Sequence, residues 1–467
     1  MLRPSGRFKS PLNARPWEAW RKASGDPERD LVSWIRFGTP LGMSSDIPYC
    51  GIFPMTEDEE ANSDAAPEMQ LQMEVENYKG FKEEPEHPQV EVQRYLDKGF
   101  CVELSESQLQ QQFPTGTVSK LALIVKEKED GSFKRRVIID LLRSGGNKRC
   151  KVRERIVLPR IVDVRDSLKY LRENRFGLIL RAQREGWADQ EECDEIEMVS
   201  VDMAEAYCHL AVCEDELCHC VAPSVTPGRF LVFTAMLFGF RGAPLIMGRF
   251  ASALARFIQS LMPADELQSQ LYIDDPLWML QGPKWRRQEN LALILHSCGA
   301  LGVKLQFKKG FRGLDAIWIG PRMELRLAEE VLVLSIPPKM MNETRDILMS
   351  WHNKGMVPLK EVRTVTGKLS WICGILARAR TSSIRGHRTD NGGHELEHAL
   401  SRRDDSRPKL NLVAVHRMEL PRRWFIEMFD KLDKFALRRE PLRDVPAQFA
   451  LVTDASPRGV GAILADI

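Results

Sequence analysis

No stretch of the 467 residues stays apolar for the roughly 18 positions that a membrane-crossing helix needs, so no such span is expected and no membrane partner is implied. The first fifteen residues are basic and contain proline, but they lack the apolar core of a secretory signal. The 10 cysteines are scattered without a disulfide-like framework, which points to a reducing interior. Charge of one sign is also missing. With 67 Lys and Arg against 65 Asp and Glu, the formal net charge is +2. Any binding of nucleic acid must therefore come from local basic clusters rather than from the whole surface. What remains is an ordinary globular composition, 43% hydrophobic, long enough for two or three domains.

Against that background one stretch stands out. Leu271-Tyr272-Ile273-Asp274-Asp275-Pro276-Leu277-Trp278 is two short apolar runs joined by adjacent carboxylates, the pattern of a hairpin that presents acids at its turn. Neighbouring carboxylates repel, and both stay ionised only where solvent or a cation offsets the repulsion. Mg²⁺, with its preference for oxygen ligands, is the usual cation. A third acid is then expected, and Asp202 supplies one at the end of the apolar run Met198-Val199-Ser200-Val201. Two strands side by side would pool Asp202, Asp274 and Asp275. That geometry suits phosphoryl transfer with two metal ions, one lowering the pKa of an attacking hydroxyl and one stabilising the leaving oxygen.

At these residues the chain resembles the reverse transcriptases of retroviruses and retrotransposons. Tyr272-Ile273-Asp274-Asp275 is similar to the family's Tyr-x-Asp-Asp motif. Asp202, with Tyr207 five residues on, is similar to its first aspartate and aromatic gate. Further matches follow in the family's order: a basic hairpin over 121–141 around Asp130-Gly131, the turn Leu237-Phe238-Gly239-Phe240-Arg241-Gly242-Ala243-Pro244, and the primer-grip-like run Ala316-Ile317-Trp318-Ile319-Gly320. The resemblance implies an α+β, right-hand polymerase fold with fingers, palm and helical thumb. It also implies two Mg²⁺ ions, with Mn²⁺ as a substitute, held by Asp202, Asp274, Asp275 and the Met203 carbonyl. Arg136 matches the arginine that holds the incoming triphosphate; the matching lysine is either Lys126 or Lys128, with Lys126 preferred on the strand. Tyr207 would stack beneath the sugar and exclude a 2′-hydroxyl, with Phe238 and Gly239 beside the nucleotide. Partners would be dNTPs and a primed RNA or DNA template.

The domain expectations run in order. Residues 1–85 read as a mostly disordered leader, with a short helix near 16–22, because an acidic stretch and the lack of sustained periodicity follow a basic start. Residues 86–335 would form fingers and palm, 336–388 a helical thumb, 389–446 a loop and connection helix, and 447–467 the first hairpin of a ribonuclease H-like domain. Asp454 matches that domain's first metal-binding aspartate. The chain stops before the other acids such a site needs, so no ribonuclease H activity is expected in cis. The run containing Cys208, His209, Cys213, Cys218, His219 and Cys220 lacks the paired spacing of a zinc site. A second reading stays open: a catalytically inactive, nucleic-acid-binding remnant of a retroelement polymerase, favoured by Pro276 directly after Asp275.

Overall fold

The structure, a computed structural model, describes residues 8–56, 71, 73–82, 85–127, 131–376, 412–430, 437–443, 449–456 and 459–466. Lys128, the acidic residues 57–60 and the histidine-containing stretch 385–408 lie outside these. Helices and small, separate sheets make it an α+β protein, and no helix among the described residues is long and apolar enough to cross a membrane. The chain divides into two compact units. One comprises residues 1–159, 199–280 and 284–310; the other comprises 160–198, 281–283 and 311–467. These units cut across the boundaries expected from sequence.

Nine strands build three sheets in and around the first unit: β1 Cys101–Ser105, β2 Lys120–Glu127, β3 Phe133–Asp140, β4 Ile196–Met203, β5 Val221–Pro223, β6 Arg229–Phe233, β7 Leu267–Tyr272, β8 Asp275–Gln281 and β9 Leu305–Gly313. The sheet orders are β1-β6-β5, β2-β3 and β7-β8-β4-β9. At the centre of the first unit's core lies the helix Ala243–Gln259, with Pro244 in its first turn. Leu245, Ile246, Met247, Phe250, Ala251 and Leu254 bury it on nearly all sides, and such a helix needs a cover on each of them.

Part of that cover corrects the expectation of a disordered leader. Residues 8–56 carry the helices Ala14–Ser24 and Leu31–Phe37. Trp17 is 1% exposed, with its ring 5.9 Å from both Phe250 and Phe257. Asn13 caps the first helix through its side chain and Gly25 closes it at φ 68°. Polar anchors complete the attachment. The fully buried Arg249 donates to Glu28 and Asp30 at 2.6 Å and stacks over Trp34, while Arg256 meets Asp26. Farther along, both oxygens of the buried Glu216 are used, Oε1 accepting the backbone N–H groups of Leu41, Gly42, Met43 and Ser45 and Oε2 that of Ser44. Each partner lies far away in sequence, so no local periodicity could report the order.

In the second unit, β10 Asp315–Ile317, β11 Arg322–Arg326, β12 Val331–Ser335 and β15 Leu437–Pro441 form one sheet, and β13 Met356–Pro358 pairs with β14 Leu412–Ala414. The helices Pro338–Ser350 and Leu359–Leu376 follow in the chain. Leu348, Val365, Leu369 and Ile372 meet Phe425 and Phe429 of the helix Glu419–Asp430 in a core of their own. The helix Ile161–Glu185 runs for 25 residues and stops at Gly186, φ 70°. Its buried Arg172 reaches the Glu330 carboxylate at 3.0 Å within the same unit. Near the C-terminus, β16 Phe449–Ser456 and β17 Gly459–Asp466 pair as an antiparallel hairpin, with Asp454 opposite Gly461.

Candidate active site

Asp202, Met203, Tyr207, Phe238, Gly239, Asp274, Asp275, Lys126 and Arg136 all lie in the first unit, and Asp454 in the second. The acids come first. In the β7–β8 hairpin, Leu271 pairs with Pro276 and Tyr272 with Asp275, leaving Ile273 and Asp274 as a two-residue turn. Pro276 therefore sits within the ladder without breaking it. Ile273 takes φ 55°, a conformation costly for a β-branched residue and the positive φ that tight hairpins need at this position. Strand β8 lies between β7 and β4, and β4 ends at Asp202 and Met203. The Met203 N–H donates to the Asp274 carbonyl at 3.1 Å, tying the turn to the end of β4.

The carboxylates feel this proximity. Burial pushes the Asp274 carboxyl above its ordinary range, and the negative charge of Asp202 adds to the shift, while Arg136 and Lys134 oppose it. The Tyr207 hydroxyl is likewise raised, by burial first and then by Asp274. Asp275 stands opposite Tyr272 at the first rung of the ladder. Among the described residues no three carboxylate, imidazole or thiol groups gather into a metal-holding cluster, so the structure brings Asp202 and Asp274 together without completing a three-acid site.

The basic hairpin faces this pair through its register. Across β2 and β3, Lys126 pairs with Lys134 and Ile124 with Arg136. Cross-strand partners, and residues two apart on a strand, share one face. Leu121, Val137 and Ile139 point into the core from the other face, so Lys126, Lys134 and Arg136 share the outward one. Arg136 lies over the Phe238 ring, 5.3 Å from its centroid, and the Phe238 ring is 4.6 Å from that of Tyr207. A continuous row results: Arg136, Phe238, Tyr207, Asp274.

Gly239 packs closely on strand β3: a Cβ there would fall 2.2 Å from the Ile139 carbonyl oxygen. The Asn147 side chain clamps the same turn, donating to the Gly239 carbonyl at 2.9 Å and accepting from the Arg241 N–H at 3.0 Å. The cysteines and histidines after Tyr207 are spent on local contacts. Cys208 donates to the Met236 carbonyl, Cys220 to the Glu216 carbonyl, and His219 shares a hydrogen bond with Thr117.

Sequence reasoning missed the part played by Lys134, although its place two residues before Arg136 puts it on the same strand face. It also missed Asn147 as a clamp and His209 as a buried connector. Only the fold brings their partners near.

No family model matches the chain, and no curated protein matches it. Solved structures do. A foamy viral protease-reverse transcriptase in complex with dsDNA aligns at a TM-score of 0.50 with 11% identity, covering 100% of this chain and 80% of that one. Other structures of the foamy viral protein align at 0.49, in complex with an RNA/DNA hybrid, and at 0.46, a dRH form in complex with dsDNA. Their identities are 13% and 12%; they cover 84% and 91% of this chain, which spans 42% and 57% of theirs. At such identities the likeness is one of fold. The protein has a reverse transcriptase-like fold.

Proposed function

We propose that this chain is an RNA-directed DNA polymerase, a retroelement fragment that extends a primer 3′-hydroxyl with dNTPs. The observation that carries the proposal is the meeting of Asp202 and Asp274 at adjacent strand ends, within electrostatic reach of Arg136 and Lys134. Repulsion between two partly buried carboxylates is what a bound cation offsets. Hard oxygen donors, the Asp202 and Asp274 carboxylates and the Met203 carbonyl, suit Mg²⁺, and Mn²⁺ could replace it. Asp275, next in the chain, would complete the set when substrate is bound. When present, two such ions would lower the pKa of the primer hydroxyl and neutralise charge on the leaving pyrophosphate.

The protein's own groups do the rest. Lys126, Lys134 and Arg136 offer three cations on one face to the triphosphate, and Arg136 is also the bidentate donor of the set. The Tyr207 ring, backed by Phe238, lies flat beneath the sugar and leaves no room for a 2′-hydroxyl. This makes the discrimination steric and favours dNTPs. The Asn147 clamp holds the turn that carries Phe238. Primed RNA or DNA template is the partner, in keeping with the nucleic acids named for the foamy viral structures.

A second reading, a nucleic-acid-binding remnant without catalysis, draws on the absence of a complete three-acid cluster among the described residues. Primer extension separates the two. With Mg²⁺ or Mn²⁺, the purified chain is expected to add dNTPs on an RNA template as well as on DNA, and Asp274→Asn to stop both. Tight binding of the same primed templates without any extension under either metal would establish the remnant instead.

A further inference from the structure

We infer that His209 is the positioning residue of the sugar gate, a role that rests on the polymerase reading above. His209 is 1% exposed and closes the short 3₁₀ turn Ala206–His209, which contains Tyr207. Its Nε2 accepts the Lys304 backbone N–H at 2.9 Å. An accepting Nε2 leaves the ring proton on Nδ1, which then donates to the Ala206 carbonyl at 3.1 Å. One neutral tautomer satisfies both contacts, and burial holds the imidazole below its ordinary pKa, in that neutral form.

Lys304 holds a second point as well, because its carbonyl accepts the Ala204 N–H at 2.9 Å. One residue at the entry to β9 therefore grips both ends of the segment from Ala204 to His209. From the N-terminal segment, the Ser10 hydroxyl donates to the His209 carbonyl at 2.5 Å, and the Phe250 ring stacks on the imidazole at 6.2 Å. Between these grips the backbone is strained. Glu205 takes φ 54° and is held by ion pairs to Arg94 and Lys98. A non-glycine residue persists there only where its surroundings over-determine it.

The position of the Tyr207 ring is thus set from behind by a side chain that touches neither nucleotide nor metal. Loss of the imidazole frees the turn, shifts the ring and leaves the acids and cations in place. The expected phenotype is lost discrimination between dNTP and rNTP, with KM for the dNTP rising more than kcat falls.

The test is single-nucleotide addition with a dNTP and its matched rNTP on one primed template. The parent, Tyr207→Ala, His209→Gln and His209→Ala would be compared, each shown by its thermal melt to be folded at the assay temperature. His209→Ala should lose roughly five- to tenfold of the parent's discrimination, the size expected of one net hydrogen bond. Glutamine, which can return an acceptor to the Lys304 N–H, should restore part of it. Should the alanine variant fail to fold, His209→Gln and Ser10→Ala give the same comparison, both expected to discriminate less than the parent. Discrimination equal to the parent's in the folded His209 variants, with Tyr207→Ala relaxed, would overturn the role of His209 and leave the polymerase reading standing. A parent that adds neither nucleotide would overturn both.

Discussion

Gly239 sits at φ 118° with the Ile139 carbonyl oxygen where a methyl group would have to go. Both the backbone angle and the contact resist a side chain, and neither can be relieved by rotating a flexible group. Gly239→Ala is therefore expected to destabilise the protein by about 2–3 kcal/mol, measured by denaturant unfolding, and to loosen Phe238 beside it. An alanine variant as stable as the parent would show that the turn is free to move. That a glycine belongs here is legible from Leu237-Phe238-Gly239-Phe240, but what it accommodates is not, since the partner is a strand roughly a hundred residues upstream. Asp202 and Asp274 show the same division. Each carboxylate can be picked out at the end of an apolar run, whereas their mutual repulsion, and the opposing pull of Lys134, exist only once β4 and β8 are neighbours.

At the scale of elements, the β2–β3 hairpin was open to sequence because alternation has a period of two and Asp-Gly separates the two runs in the sequence. The same register that buries Leu121, Val137 and Ile139 aligns Lys126, Lys134 and Arg136. Residues 8–56 were not open in this way. Their two helices are short, and much of their attachment is polar and long-range, with Glu28 and Asp30 on Arg249 and the loop 41–45 around Glu216. A signal did exist on the other side of the contact, in a helix buried almost all round that needed another cover. Removing Arg249 would leave Glu28 and Glu154, each nearly inaccessible to solvent, without their cation. Arg249→Ala is expected to cost about 3–5 kcal/mol and to raise protease sensitivity across residues 8–56. An unchanged unfolding midpoint would mean that the segment is held by its apolar contacts alone.

For the molecule as a whole, the reverse transcriptase-like fold is foreshadowed by ordered motifs that are individually weak, and the acids, Tyr207, Phe238, Gly239 and the basic hairpin lie in the first unit while the run 316–320 lies in the second. The unit boundaries were hidden from sequence because they follow tertiary packing, as when Arg172 of a long helix pairs with Glu330 well downstream. The central claim is that Asp202 and Asp274 act together at one metal-dependent centre. It is tested most directly by the single-turnover rate of dNTP addition to a primed RNA template, comparing the parent with Asp202→Asn in titrations of Mg²⁺. The account predicts Mg²⁺-dependent addition by the parent and a loss of at least about a thousandfold in the folded variant, because removing one carboxylate from a two-metal centre removes charge stabilisation in the transition state. Addition by Asp202→Asn at the parent's rate and with the parent's Mg²⁺ dependence would contradict it.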